Sequence, residues 1–125
     1  MRMDIRELEQ SLLECYSKDL CYPKVQDDWN ENNKCFDMCA ITSLIVNDYF
    51  GGLIGKIYVN GISHYFNVFD HQIIDLTSSQ FDNDIDYTNY IVVDRNLILT
   101  EDTMNRYTLL KERLTSKLLN FVDNM

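Results

Sequence analysis

Asn60 and Gly61 separate two segments that are rich in apolar and aromatic residues, LIGKIYV and ISHYFNVF. An Asn-Gly pair in this setting is the strongest short signal for a β-hairpin, because both residues tolerate the left-handed backbone of a tight turn. A third segment, QIIDL, follows Asp70 and His71, which predicts a second tight turn. The chain is therefore expected to form a small antiparallel sheet of three or more strands.

Apolar residues recur at helical spacing in three further segments of the chain. The predicted helices span residues 5–17, 38–50 and 101–121. Asp4 is placed to cap the first helix, and Gly51 ends the second, because glycine tolerates the left-handed conformation at a helix end. Cys39 therefore falls in the first turn of the second helix. Segment 90–99 is apolar and is expected to be extended or irregular.

The length of the chain sets the number of domains. It has 125 residues, of which 46% are hydrophobic, and single domains commonly hold about 100–200 residues around one core. Residues 1–125 are therefore expected to form a single α+β domain, in which the antiparallel sheet packs against the helices.

Charge and patterning restrict the partners of the chain. Eleven basic and twenty acidic residues give a net charge of −9, which argues against nucleic acid and anionic membranes as partners because phosphate contacts require Lys or Arg. The N-terminus lacks an apolar signal core, and no apolar run is long enough to span a bilayer. A cytoplasmic location with reduced cysteines is expected.

Pairing across the two turns determines which side chains share a face of the sheet. It places Ile57 opposite His64, and Phe66 opposite Asp75. One face then carries ten residues, all apolar except one histidine and one aspartate: Leu53, Gly55, Ile57, Val59, Ile62, His64, Phe66, Val68, Ile73 and Asp75. The helix that begins at Cys39 is expected to cover this face.

His64 and Asp75 are diagonal neighbours in this register, within reach of a side-chain hydrogen bond. A buried carboxylate is costly unless it is paired, and Asp75 can accept from one imidazole nitrogen while the other stays free. A thiol in the first turn of a helix has its thiolate stabilised by unpaired backbone N–H groups. Nucleophile Cys39, base His64 and orienting acid Asp75 are the parts of nucleophilic thiol catalysis.

The same residues allow two other interpretations. A His–Asp pair on a core face is often purely structural, and a helical cysteine is often only a small hydrophobic residue. Cys35 and Cys39 are four residues apart, so that His64 or His71 could complete a zinc site with them. Only this cysteine pair has ligand-like spacing, and we expect neither a metal nor another cofactor.

A series of motifs runs in order along the chain. It comprises Tyr16 and Ser17, Pro23, Trp29, CAITSLIVNDYFGG from Cys39, HYFN from His64, DLTSSQF from Asp75, and TMNRYTLL in the last helix. With these motifs the chain resembles, over nearly its whole length, the YunG-like family of small uncharacterised bacterial proteins.

The resemblance also bears on the site. The order Cys39, His64, Asp75 on helix, strand and strand is similar to that of papain-like and transglutaminase-like thiol enzymes, which implies a papain-like core order. In one respect the chain departs from the family, which has glycine and glutamine where this sequence has Asp37 and Met38. A methionine cannot donate to an oxyanion, and Asp37 adds a negative charge beside the thiol.

The sequence thus predicts a cysteine-nucleophile hydrolase or acyl transferase, acting on an unknown small-molecule or peptide substrate. The alternative is a non-catalytic binding or interaction protein on the same scaffold. Neither interpretation identifies the substrate or the oligomeric state.

Overall fold

The computed structural model describes residues 3–123, and side chains for residues 3–119. Its helices are α1 (Ile5–Cys15), α2 (Cys39–Phe50), α3 (Arg95–Ile98) and α4 (Glu101–Asp123), and its strands are β1 (Leu53–Val59), β2 (Ile62–Phe69), β3 (Gln72–Ile74) and β4 (Ile91–Val93). Short 3₁₀ turns lie at Lys18–Leu20, Pro23–Asp28 and Ser78–Gln80. The chain is therefore an α+β protein, as its sequence predicts.

The strands form one antiparallel sheet in the order β3-β2-β1-β4. The turn residues between β1 and β2 have positive φ, 53° at Asn60 and 80° at Gly61, and those between β2 and β3 do as well, 52° at Asp70 and 64° at His71. Both turns thus have the conformation that a two-residue hairpin loop requires. The register places Ile57 opposite His64, which confirms the predicted pairing.

The fourth strand comes from the segment that periodicity alone does not assign. β4 is only three residues long and pairs with β1 through Ile54, Gly55 and Lys56. So short a strand is determined by its partner in the sheet rather than by its own pattern, and it leads directly into α3.

The helix ends follow from local chemistry. The Asp4 side chain accepts a hydrogen bond from the Glu7 amide at 2.8 Å, which caps α1 as predicted. α2 begins at Cys39, one residue later than predicted, and ends at Phe50, with Gly51 as the C-cap at a φ of 72°. The first turn of α4 is capped by Thr100, whose hydroxyl accepts from the Thr103 amide at 3.3 Å.

Each face of the sheet has its own apolar cover. The face with Ile54 joins the main core of α1, α2 and α4, and the Asn67 side chain donates to the backbone oxygen of Ser43 in α2 at 3.0 Å. The face with Ile57 and Phe66 forms a second cluster, covered by Ile85, Tyr87 and Tyr90. The prediction that α2 covers the His64 face is therefore wrong, because α2 packs on the opposite face and an irregular segment takes its place.

No helix in the described part of the chain is both long and apolar enough to cross a bilayer.

Candidate active site

His64 and Asp75 are in direct contact. His64 lies in the middle of β2 with no exposed surface, and its Nε2 atom is 2.6 Å from Oδ2 of Asp75, whose side chain is 5% exposed. A carboxylate can only accept, so Nε2 carries the proton and donates it to Asp75. The other ring nitrogen, Nδ1, is left for a further partner. The predicted His–Asp pair is thus present in the folded chain.

Asp75 reaches the ring from just beyond the sheet. β3 ends at Ile74, so the carboxylate is carried by the first residue after the strand. Its Oδ1 accepts from the Thr77 amide at 3.2 Å and from the Thr77 hydroxyl at 3.4 Å. Its Oδ2, already bound to His64, also accepts from the Tyr87 hydroxyl at 2.6 Å. Every partner of the Asp75 side chain can thus donate a hydrogen bond, and both of its oxygens are occupied.

Neutral groups surround the rest of the imidazole ring. The ring of Phe81 meets His64 edge-on, with centroids 5.0 Å apart. Nε2 of the Gln80 amide lies 3.5 Å from Nδ1 of His64 and also donates to the Thr77 backbone oxygen at 3.2 Å. The 3₁₀ turn after Asp75 therefore supplies both an aromatic wall and a polar neighbour for the ring.

The charge of His64 is set by opposing effects. Burial lowers the pKa of the imidazole, but the hydrogen bond to Asp75 and the nearby Cys39 thiol, together with the charges of these two groups, raise the pKa overall to about 9. The structure thus favours the protonated ring near neutral pH.

Cys39 is the first residue of α2, and its side chain is partly exposed. Met38, at the N-cap, provides no side-chain cap, so that the amide groups of the first turn keep their capacity to bind an anion. The thiol is also among the groups that act on the charge of His64. Cys39 thus combines access to solvent with a helix N-terminus and an imidazole neighbour.

The other three cysteines lie in different surroundings. Cys15, Cys21 and Cys35 are buried, and burial raises the pKa of all three thiols, that of Cys21 to about 12. Cys35 Sγ is directed at the Leu76 backbone oxygen, 3.8 Å away. These three thiols are therefore built-in controls for the reactivity of Cys39.

The carboxylate of Asp37, which the sequence places near the Cys39 thiol, is bound by other groups in the structure. Its carboxylate accepts from the Tyr22 amide at 2.7 Å and lies 3.8 Å from Nη1 of Arg106. Its φ of 60° is the left-handed backbone that the family's glycine adopts without strain. The negative charge expected beside the thiol thus has two partners of its own, an amide and a guanidinium.

Met38 is fully buried in the main core. A methionine at this position contributes packing, and it offers no donor to a bound oxyanion. The environment of residue 38 is therefore apolar, which suits this methionine better than the glutamine of the family.

The zinc interpretation gains no support from the described residues. Among them, no three His, Cys, Asp or Glu side chains are grouped so that they could hold a metal ion. His71 is exposed in its turn, with φ at 64°.

Two polar neighbours of the pair escape sequence reasoning, namely Gln80 and Tyr87. Both lie in a segment without strand or helix periodicity, so that no face can be assigned to them from spacing. Gln80 falls within the DLTSSQF motif, and Tyr87 and Tyr90 lie in a mostly acidic and polar stretch. Large aromatic residues there indicate that the segment packs on something apolar.

The fold and this site define an α+β protein with a buried histidine–aspartate pair beside a helix that begins with cysteine. A family model described as "YunG protein" matches residues 4–119. The chain therefore belongs to the YunG family, as its motifs indicate. It is similar to "Uncharacterized protein YunG" of Bacillus subtilis (strain 168), with 31% identity over 84 residues, 67% of this chain and 72% of the relative. No solved structure matches significantly.

Two family motifs have structural explanations. Asp48, which precedes the Gly-Gly pair, accepts from the Tyr107 hydroxyl of α4 and from Arg95 at 2.9 Å. Arg106 donates to the backbone oxygens of Leu20 and Asp37, at 3.1 and 3.3 Å. The Arg-Tyr motif of α4 thus bonds to Asp37, just before α2 begins, and to Asp48, near the end of α2.

Proposed function

We propose that this chain is a papain-like thiol hydrolase or acyl transferase, with Cys39 as nucleophile, His64 as base and Asp75 as the acid that orients it. The observation that carries the proposal is the 2.6 Å contact between Nε2 of His64 and Oδ2 of Asp75 on a fully buried ring. The contact uses one ring nitrogen and leaves Nδ1 to exchange a proton with a thiol.

The chemistry requires two half-reactions. In the first, Nδ1 of His64 holds the proton that Cys39 has given up, and the thiolate attacks the carbonyl carbon of an acyl compound to give a tetrahedral oxyanion. The bond to the leaving group then breaks, the imidazolium protonates the leaving group, and the acyl group remains on sulfur as a thioester.

In the second half-reaction, His64 takes a proton from water or from an acceptor such as an amine. The activated nucleophile attacks the thioester carbon, and collapse of the intermediate expels the Cys39 thiolate, which regains its proton. Hydrolysis and acyl transfer differ only in this second nucleophile. Because both steps involve proton transfer through one imidazole, Asp75 serves the reaction by fixing the tautomer of the ring.

Two groups are suited to stabilise the oxyanion in place of the family's glutamine. One is the set of uncapped amides at the start of α2, beside Cys39. The other is Nε2 of Gln80, 3.5 Å from Nδ1 of His64. Loss of one oxyanion donor typically lowers the rate by a factor of about 10²–10³. The presence of Met38 in place of glutamine therefore does not by itself abolish activity.

A second candidate function is supported by Met38. Met38 is fully buried and stands where the family has a glutamine, so the site lacks that hydrogen-bond donor. This loss is expected if the scaffold binds a ligand or partner without reaction. On that account the His64–Asp75 pair only holds the segment after β3 against the sheet.

Acyl transfer to sulfur separates the two candidates. The protein is mixed with p-nitrophenyl acetate, p-nitrophenol release is followed, and the acetylated residue is located by mass spectrometry. We expect a burst with acetyl on Cys39 that His64→Ala abolishes, whereas His71→Ala, a change of the exposed turn histidine, retains it. Acetylation no faster than that of a free thiol, or equal loss in both variants, would support the binding protein.

A further inference from the structure

We propose that Tyr87 is a positioning residue of this site, which acts through Asp75 to limit how strongly the carboxylate stabilises the charged form of His64. The role of this residue in catalysis rests on the proposed function, but the contacts of Tyr87 with Asp75 do not depend on that proposal. No periodicity or motif in the sequence points to Tyr87, and neither His64 nor Cys39 bonds to it directly.

Tyr87 and His64 compete for the same atom. The Tyr87 hydroxyl and Nε2 of His64 both donate to Oδ2 of Asp75, and both distances are 2.6 Å. The second oxygen, Oδ1, is held separately by Thr77. The carboxylate thus keeps its place through Thr77, while Tyr87 determines how much of the charge on Oδ2 is available to the ring.

The tyrosine is itself rigidly held. Its ring packs edge-on against Phe66, with centroids 5.0 Å apart, in the apolar cluster that covers the His64 face. Burial and the neighbouring Asp75 carboxylate raise the pKa of the phenol, so it remains a donor throughout the neutral range. Its contribution is therefore a fixed dipole whose positive end faces Oδ2.

Two charged or titratable groups have the largest effects on the imidazole, namely Asp75 after β3 and Cys39 at the start of α2. Gln80 and Phe81 are neutral. Removal of the Tyr87 hydroxyl therefore leaves one charged partner, Asp75, bound to His64 by an unshared oxygen, which stabilises the imidazolium.

This competition suits the proposed reaction. A base that must later return its proton to a leaving group works best when its pKa lies near the working pH. A buried imidazole with an unshared carboxylate partner holds its proton too firmly. The Tyr87 hydroxyl offsets part of that stabilisation without displacing Asp75.

Titration of His64 by NMR tests the inference. In a Cys39→Ala background, which removes thiol ionisation, the His64 pKa is compared with and without Tyr87→Phe. Tyr90→Phe is the matched control. In the described part of the chain, Tyr90 also packs on Phe66 but makes no hydrogen bond to Asp75. We expect Tyr87→Phe to raise the pKa of His64 by about 0.5 unit or more, and Tyr90→Phe to leave it unchanged.

An unchanged or lowered pKa in Tyr87→Phe, or an equal rise in Tyr90→Phe, would overturn the inference. Should the double variant fail to fold, the comparison is made with Cys39 intact: Tyr87→Phe should move the onset of Cys39 alkylation by iodoacetamide to lower pH. The proposed function has a separate test, which it fails if the native protein is not acetylated on Cys39. That result would not change the His64 titration, which is measured in the Cys39→Ala background.

Discussion

His64 donates a hydrogen bond of 2.6 Å to Asp75, a residue eleven positions further along the chain. The tight turn at Asp70 and His71 folds β3 back along β2, and the chain leaves the sheet at Ile74. The next residue therefore lies beside the strand position that carries the imidazole. Both groups are almost wholly buried, and each provides the partner that the other needs in order to be buried.

Replacement of Asp75 by asparagine tests what the charge of this pair contributes. The amide oxygen still accepts from Nε2, but the imidazolium loses its counter-ion, so the pKa of His64 should fall. One pKa unit corresponds to about 1.4 kcal/mol of lost interaction with the imidazolium. The cation that stabilises the Cys39 thiolate is then weakened, and Cys39 should alkylate severalfold more slowly near pH 7. Rates are measured with iodoacetamide and site-resolved mass spectrometry.

Asp70→Asn is the matched control for this change. Asp70 is exposed in a turn at φ 52°, a conformation that asparagine tolerates. Its replacement should alter neither the rate nor the stability, whereas Asp75→Asn should also lower the free energy of unfolding by about 1–3 kcal/mol. Equal behaviour of the two variants would mean that the buried charge is irrelevant to the thiol.

The raised pKa of His64 predicts how stability depends on pH. The folded-state pKa is about 9, above the ordinary value of 6.5, so the folded protein holds this proton more tightly than the unfolded chain. The stabilisation is fully present below pH 6.5 and is lost as the pH rises to about 9.

The measurement for this pH dependence is the difference in unfolding free energy between the native protein and His64→Gln, from urea denaturation at several pH values. The difference should shrink between pH 6.5 and 9, and contributions from the buried thiols cancel because both proteins contain them. His71→Gln, at an exposed turn, should give a difference that does not vary with pH. A His64→Gln difference that grows with pH would have the wrong sign for this account.

Restoring the family's glutamine should harm the fold of this chain. Met38 has no exposed surface and packs in the main core, so Met38→Gln buries an amide at a cost of about 1–3 kcal/mol. Met38→Leu keeps the volume and should cost less than about 1.5 kcal/mol. Urea denaturation compares the two.

The alkylation rate of Cys39 should be nearly the same in the native protein and in Met38→Gln, because a neutral amide acts on the transition state of acyl transfer rather than on the thiol. A Met38→Gln protein as stable as Met38→Leu would show that the pocket around position 38 is still built for a polar side chain.

The elements predicted correctly are those determined by local chemistry. Asn60 with Gly61, and Asp70 with His71, specify their hairpins through turn conformations that few residues adopt. The cap at Asp4 and the stop at Gly51 are likewise local. Once the turns are fixed, the two-residue loop determines the register of the strands, and with it the pairing of Ile57 with His64.

The parts that sequence reasoning missed depend on distant contacts. β4 is a strand only because β1 offers it a free edge, and its three residues carry no pattern of their own. Two segments are candidates to cover the His64 face, but α2 packs on the opposite face of the sheet, where its apolar residues join those of α1 and α4 in the main core. The irregular stretch with Tyr87 and Tyr90 then fills the remaining face, and this choice brings the Tyr87 hydroxyl to Asp75.

The measurement that tests the central claim most directly is the rate at which each of the four thiols reacts with iodoacetamide between pH 5 and pH 9, with and without His64. If Cys39 is an activated nucleophile, it should react well below pH 8, where an ordinary thiol, with a pKa of about 8.5, is mostly protonated. The buried Cys15, Cys21 and Cys35 should react only on unfolding.

His64→Ala should slow the alkylation of Cys39 at pH 6–7, while His71→Ala leaves the rate unchanged and both proteins remain folded. If Cys39 reacts no faster than an ordinary exposed thiol, and His64→Ala has no effect on it, the pair of His64 and Asp75 is structural and the chain is not a thiol enzyme.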